Sequence, residues 1–298
     1  MKRNHLRDAC NLALAWLTSK LLTRDWVREL RPAEKDIGDA AIVLEVVSRI
    51  PLFQTTATGL LSQLWQQPNT RLVLDNAMRG DSDSRLRSLV AYASFLRSGV
   101  IGTFRKGAVL EALIGFSPRS TLESIALYYC HESIPHLPTP ASTPTIDPWA
   151  LAETLMPFPI IPSIEIAYSI THTFLYASNF GYSTESLPES YSVHTTSRMP
   201  RWMQHFMDLP DNDVVAELSM IASILAMPSG LYWAEHLASR QSSSGALFAS
   251  DHDDEGFHTT LVGLLAWSAA LRLSNSDSLI LTTTINNGRC SAHGDTTR

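Results

Sequence analysis

Apolar side chains recur three or four positions apart along nearly the whole chain, the signature of helices that each bury one stripe. The pattern predicts helices over 5–30 (with a break near Thr23), 36–49, 55–67, 70–79, 84–98, 106–115, 119–132, 147–155, 161–179, 197–208, 212–227, 229–239 and 257–272. Pro, Gly, Ser and Asp punctuate them in stretches such as RPAEKD, QQPN, RGDSDS and FSPRS. Ser117-Pro118 reads as a helix start, because proline suits a first helical turn. SLILTTTI at 278–285 is the one β-branched run of note and carries a weak strand signal. Residues 134–148, 182–196 and 241–256 read as irregular loops inside one all-helical domain over 1–273, and 274–298 as a poorly ordered tail.

Many short helices joined by tight turns predict an all-α fold of helix hairpins packed in sequence. The arrangement expected is an α/α toroid, with helices around a central cavity; an irregular α-solenoid is the alternative. No repeat period is visible, which disfavours a regular solenoid. Composition strengthens the toroid. The chain is 45% hydrophobic and 17% charged, against about a quarter charged in an ordinary soluble domain. Much of the helical surface must therefore be covered.

With a net charge of −6 and no basic stripe, nucleic acid is excluded as an expected partner. The three cysteines, Cys10, Cys130 and Cys290, form no C-x-x-C pair and read as free thiols of a reducing compartment. The opening MKRNHLRDACNLALAWL is basic, but Asp8 and Asn11 interrupt a signal core, so it reads as an amphipathic first helix. No apolar run is long enough for a membrane span. A cytoplasmic protein is expected, with oligomerisation left open.

The candidate chemistry lies in EIAYSITHTFLYASNFG, Glu165 to Gly181. On a helix, Glu165, Tyr168, His172, Tyr176 and Asn179 share an arc of about 80°. Ile166, Ala167, Ile170, Phe174 and Ala177 form the opposite, packing face. A solvated face recruits Lys, Arg and Gln; this one has none, which points to an enclosed space. Glu165 and His172 lie about 10 Å apart along the axis, a spacing that suits two groups touching one bound molecule. Desolvation would draw both pKa values toward neutrality, fitting them for general acid–base work. Tyr168, Tyr176 and Asn179 would orient the ligand.

Two further helices could face the same space. In DLPDNDVVAELSMIASILAM, Glu217 is the one ionisable group of an apolar run and needs a partner, a proton or a cavity. Asp213 there suits the positive end of the helix dipole. His258 sits in the first turn of FHTTLVGLLAWSAALRL, where that dipole would keep the imidazole neutral. Glu165, His172 and His258 are the candidates for one divalent metal, the alternative to metal-free proton transfer. DHDD, Asp251 to Asp254, matches the D-x-D-D acid motif of class II terpene cyclases, but four residues in an acidic, serine-rich stretch read far better as a solvated loop capping helix 257–272. Cys130-His131 resembles the zinc-binding pair of lanthionine cyclases without their third cysteine. No G-x-S-x-G elbow, P-loop or G-x-G-x-x-G occurs, so no nucleotide cofactor is expected.

Taken together, E-x2-Y-x2-T-H-x3-Y-x2-N-F-G (165–181) and F-H-T-T-L-V (257–262) resemble an uncharacterised all-helical bacterial family, mainly actinobacterial and found near specialised-metabolite genes. In that family an aspartate commonly stands in the place of Asn179. The resemblance implies a helical toroid, a biosynthetic role without an established reaction, and importance for Glu165, Tyr168, His172, Asn179 and His258. The function expected is catalysis on a small, fairly apolar molecule in a toroid cavity, as an isomerase or cyclase, lyase or hydrolase. Glu165, His172, His258 and Glu217 would be catalytic. A non-catalytic helical binding or scaffold protein is the alternative.

Overall fold

The computed structural model describes residues 2–24, 33–101, 116–133, 147–209, 211–250 and 256–287, with side chains described no further than Arg272. Among these residues there are twelve helices and no strand: α1 (Lys2–Thr23), α2 (Ala33–Ser48), α3 (Gln54–Gln66), α4 (Pro68–Ala77), α5 (Ser82–Arg97), α6 (Thr121–Ser133), α7 (Pro148–Glu153), α8 (Ile164–Ala177), α9 (Glu189–Asp208), α10 (Asn212–Ile224), α11 (Pro228–Arg240) and α12 (Phe257–Asn287). The chain is therefore all-α. None of its described helices is long and apolar enough to cross a membrane.

Local chemistry sets the boundaries. Asp81, Asp147, Ser163 and Asp211 cap α5, α7, α8 and α10 by accepting bonds from first-turn N–H groups. Proline opens α4, α7 and α11. At α6 the helix begins at Thr121, slightly later than Ser117-Pro118 suggested, because the Ser120 hydroxyl takes the cap and accepts from the Glu123 N–H at 3.1 Å.

Two expectations need correction. Residues 189–196, read as loop, belong to α9. Their Ser, Thr, His and Glu content hides a stripe, Tyr191, Thr195, Met199, Trp202, Met203 and Phe206, which runs straight past Pro200 and is buried throughout. The β-branched run 278–285 lies within α12. The expected helix at 106–115, most of the proline-rich loop at 134–148, and DHDD fall outside the described residues.

Six helices form a closed circuit of contacts. α2 packs on α5, α5 on α6, α6 on α8, α8 on α10, α10 on α12, and α12 returns to α2. The others lie against this circuit: α1 on α12 and α11, α3 on α2, α4 on α5, α7 on α6 and α8, α9 on α10, and α11 on α10 and α12. Buried apolar side chains from both groups make one contiguous core.

All six circuit helices run in the same sense. Asp39, Arg87, Glu123, Glu217 and His258, from their N-terminal halves, and His172, from just past the middle of α8, line two chambers with shared walls. After α8 the chain turns sharply through Asn179, Phe180 and Gly181, all at positive φ. Arg49 Nη1 donates to Asn179 Oδ1 at 3.3 Å and Arg97 Nη1 at 2.5 Å, while Arg272 Nη2 donates to the Gly181 carbonyl at 3.1 Å. Arg49 and Arg97 stand at the C-terminal ends of α2 and α5, where a cation suits the negative end of the dipole, and Arg272 joins them from the middle of α12.

Candidate functional site

Five ionisable side chains from four helices meet at the N-terminal end of the circuit. α10 presents Asp213 and Glu217 one turn apart, hence on one face. Glu217 Oε1 lies 2.9 Å from His172 Nε2 of α8, and Glu217 Oε2 accepts the Thr171 hydroxyl. His258 of α12 stands between two carboxylates: its Nδ1 is 2.9 Å from Asp39 Oδ2 of α2, and its Nε2 is 3.5 Å from Asp213 Oδ2. The Tyr168 hydroxyl donates to that same Asp213 oxygen, and Asp213 Oδ1 is buried without a partner. The His172 ring lies between Tyr168 and Tyr176, with centroids 5.6 and 6.4 Å away.

The two histidines have different electrostatics. Burial pushes the His172 imidazole down, but the charge and hydrogen bond of Glu217 outweigh it, so the net shift is upward. Glu217 mirrors this: burial raises its carboxyl, and His172 with Thr171 brings it net below the usual range. His258 also resists burial, because Asp213 and Asp39 both favour its cation and lift it to about 10. Asp39 is lowered despite burial by the same contact. Asp213 moves the other way: burial and the neighbouring Glu217 raise it more than His258 lowers it.

Two chambers that share part of their walls open onto this cluster. His172 keeps 36% of its side-chain surface accessible and His258 31%. The narrow chamber, about 440 Å³ with its open mouth included, is lined by Asp39, His172, Tyr176, Glu217 and His258 and otherwise by apolar groups, among them Ile42, Leu175, Val262 and Leu265. The wide chamber, about 780 Å³ on the same measure, opens between α2, α5, α6 and α8. Asp39, Ile42, His172 and Tyr176 belong to both walls. As cavities proper the narrow and wide chambers hold about 50 and 270 Å³, so the wide one has room for a small organic molecule and the narrow one only for a slim part of it.

The structure brings together His172, Glu217 and His258, with Tyr176 in the chamber walls and Tyr168 one contact away through Asp213. Glu165 does not join them. It lies exposed in the first turn of α8, and its carboxyl is lowered by the Ser163 hydrogen bond rather than raised by burial. Ile166, assigned to the packing face, is exposed as well. Asn179 lies past the C-terminal end of α8, bonded to arginines. The neutral state expected for His258 is overturned, since two carboxylates outweigh the helix dipole.

Sequence reasoning missed Asp39, and it read Asp213 only as a dipole partner. Asp39 carried the signal that exposed Glu217: a lone carboxylate in the apolar run IGDAAIV. Glu165, His172 and His258 do not converge, and among the described residues no three His, Cys, Asp or Glu side chains are grouped to hold a metal ion. Cys10 and Cys130 are free and buried, and burial pushes the Cys130 thiol up to about 12, which removes it as a ready thiolate ligand.

The family described as "Domain of unknown function (DUF6895)" matches residues 10–267. The chain belongs to this family. The match covers every residue that lines the two chambers, so the site is part of the family's own domain. No curated protein and no solved structure matches the chain.

Proposed function

We propose that the protein is an enzyme, an acid–base catalyst for a small, largely apolar molecule held at the centre of an α/α toroid. The closed circuit of six helices running in one sense supports the toroid, and their shared N-terminal opening supports a central site. The observation that carries the catalytic reading is the His172–Glu217 pair, which faces a chamber walled mostly by apolar side chains.

In this reading His172 moves the proton. Glu217 fixes its Nε2 and stabilises the imidazolium, while Nδ1 makes no hydrogen bond among the described residues and is left for the ligand. His258, engaged at both nitrogens, is a held cation that stabilises negative charge developing on the substrate. Asp39 and Asp213 position His258, Tyr168 positions Asp213, and Tyr176 orients the ligand at the junction of the chambers. Isomerisation, cyclisation, elimination and hydrolysis all share this proton-transfer step. Because the ligand grouping does not fit a metal, no step is routed through one.

A non-catalytic binding protein is the second reading. It is favoured by a run of exposed isoleucines at the start of α8: Ile160 (54%), Ile161 (57%), Ile164 (42%) and Ile166 (46%). The two readings separate on one experiment. The purified protein is incubated with a small-molecule extract of its source cells, and the extract is followed by mass spectrometry. Catalysis predicts a compound consumed by wild type, with the rate lowered at least about 100-fold in folded His172→Ala and Glu217→Gln. Unchanged rates in both variants would sink the catalytic reading, and retention of a compound without turnover would favour the second.

A further inference from the structure

We infer that Tyr176 is a catalytic residue and that the substrate is a neutral carbonyl compound: the phenol donates to the carbonyl oxygen while His172 takes a proton from the neighbouring carbon. This rests on the acid–base reading above and adds the bond that breaks and the group that polarises it.

Most polar groups of the narrow chamber are already engaged by protein. Glu217 gives one oxygen to His172 and the other to Thr171. His258 turns its two nitrogens to Asp39 and Asp213. Two groups of α8 are different: His172 Nδ1 and the Tyr176 hydroxyl make no hydrogen bond among the described residues. Both side chains line the narrow and the wide chamber, and neither atom is fully buried. With Nε2–H donated to Glu217, the neutral His172 ring carries its lone pair at Nδ1. The face of α8 thus offers a ligand one base and one neutral donor.

Tyr176 follows His172 by one helical turn, and the two ring centroids are 6.4 Å apart. Rings so placed can reach two neighbouring atoms of one ligand. The Tyr176 ring is held by Tyr129, with centroids 5.4 Å apart, and edge-on by Phe180 at 5.8 Å. Burial pushes the phenol pKa up, so it stays a neutral donor. Such a donor polarises a carbonyl oxygen and strengthens its bond as negative charge grows there. In the reaction the C–H bond beside the carbonyl breaks, and its hydrogen goes to His172 Nδ1 as a proton. The bonding pair becomes a carbon–carbon double bond. The carbonyl π pair moves to oxygen, giving an enolate that accepts from Tyr176. Return of the proton to the same carbon regenerates the substrate, and return to the far end of a conjugated system moves a double bond.

The test is deuterium incorporation into 2-heptanone, a slim unbranched ketone, incubated with the full chain in D2O and followed by proton NMR. Wild type should exchange the hydrogens beside the carbonyl faster than buffer alone. Tyr176→Phe gives up a hydroxyl that is unbonded among the described residues, so its fold, checked by circular dichroism and melting, should be kept. Its saturated exchange rate should fall about 100-fold, and His172→Ala should exchange no faster than buffer. No exchange above buffer by wild type, or an unchanged rate in Tyr176→Phe, would overturn the inference. If the ketone result fails while turnover of the extract compound still needs His172, the acid–base reading stands without a carbonyl substrate. Failure of that reading looks different: His172→Ala would keep turnover of the extract compound.

Discussion

At the scale of single residues, the site is two imidazoles that carboxylates favour as cations, one beside Glu217 and the other between Asp39 and Asp213. His258 rises from an ordinary 6.5 to about 10 in the folded protein. Because the folded value is the higher one, its contribution to stability is complete below about 6.5 and is lost as the pH climbs toward 10. Asp39, lowered by the same contact, contributes above the ordinary carboxylate value of 3.8, and that contribution disappears as the pH falls. A plot of melting temperature against pH should therefore decline on the alkaline side. Asp39→Asn should flatten that decline; parallel curves for the two proteins would show that the pair does not act this way. Glu165→Gln, by contrast, changes an exposed residue away from the chambers and should leave both turnover and melting temperature within error. Loss of turnover in that variant would put the chemistry at the wrong end of α8.

Individual elements hold the site through their ends. The turn after α8 places Gly181 at φ +80, where a Cβ would come within 2.6 Å of both Arg272 Nη2 and Ile224 Cγ1. Gly181→Ala should cost about 1–3 kcal/mol in chemical denaturation, by straining that turn and pushing Arg272 from the carbonyl it bonds. Asn179, also at positive φ, already accepts from two arginines through one oxygen. Asn179→Asp should convert those into charge-assisted bonds and raise stability by about 0.5–1.5 kcal/mol; a destabilised variant would mean that Glu45 already satisfies the arginine charge.

The elements also show what the sequence could reveal. Helices were legible wherever an apolar stripe repeated, as in α2, α8, α10 and α11, and Glu217 stood out because no other charge shares its run. The start of α9 was obscured because its buried stripe mixes Tyr and Thr with polar neighbours and then meets Pro200. Glu165 looked aligned with His172 on a helical wheel, but a wheel carries no information about which turn reaches past the neighbouring helices. Asp39 and His258 are far apart in the chain, and only the return of α12 onto α2 brings them together.

For the whole molecule, closure is the condition for having a site at all. α12 returns between α10 and α2 with Leu261 turned to the narrow chamber, and its buried Trp267 ties it to α11 by donating to the Ala234 carbonyl at 3.1 Å. Trp267→Ala should cost about 3–5 kcal/mol and lower turnover together with stability, since the same helix carries His258. A loss of stability alone would show that the chambers do not depend on closure. The central claim is narrower: an enclosed imidazole, kept basic by one carboxylate, faces an apolar chamber. Histidine NMR titration tests it most directly and needs no knowledge of the substrate. His172 should titrate above the ordinary 6.5 in the wild type, because Glu217 outweighs burial. In Glu217→Gln, with burial and the His258 cation opposed only by the more weakly acting Asp39, it should fall below that value. A wild-type His172 at or under 6.5, or one that Glu217→Gln leaves in place, would contradict the account.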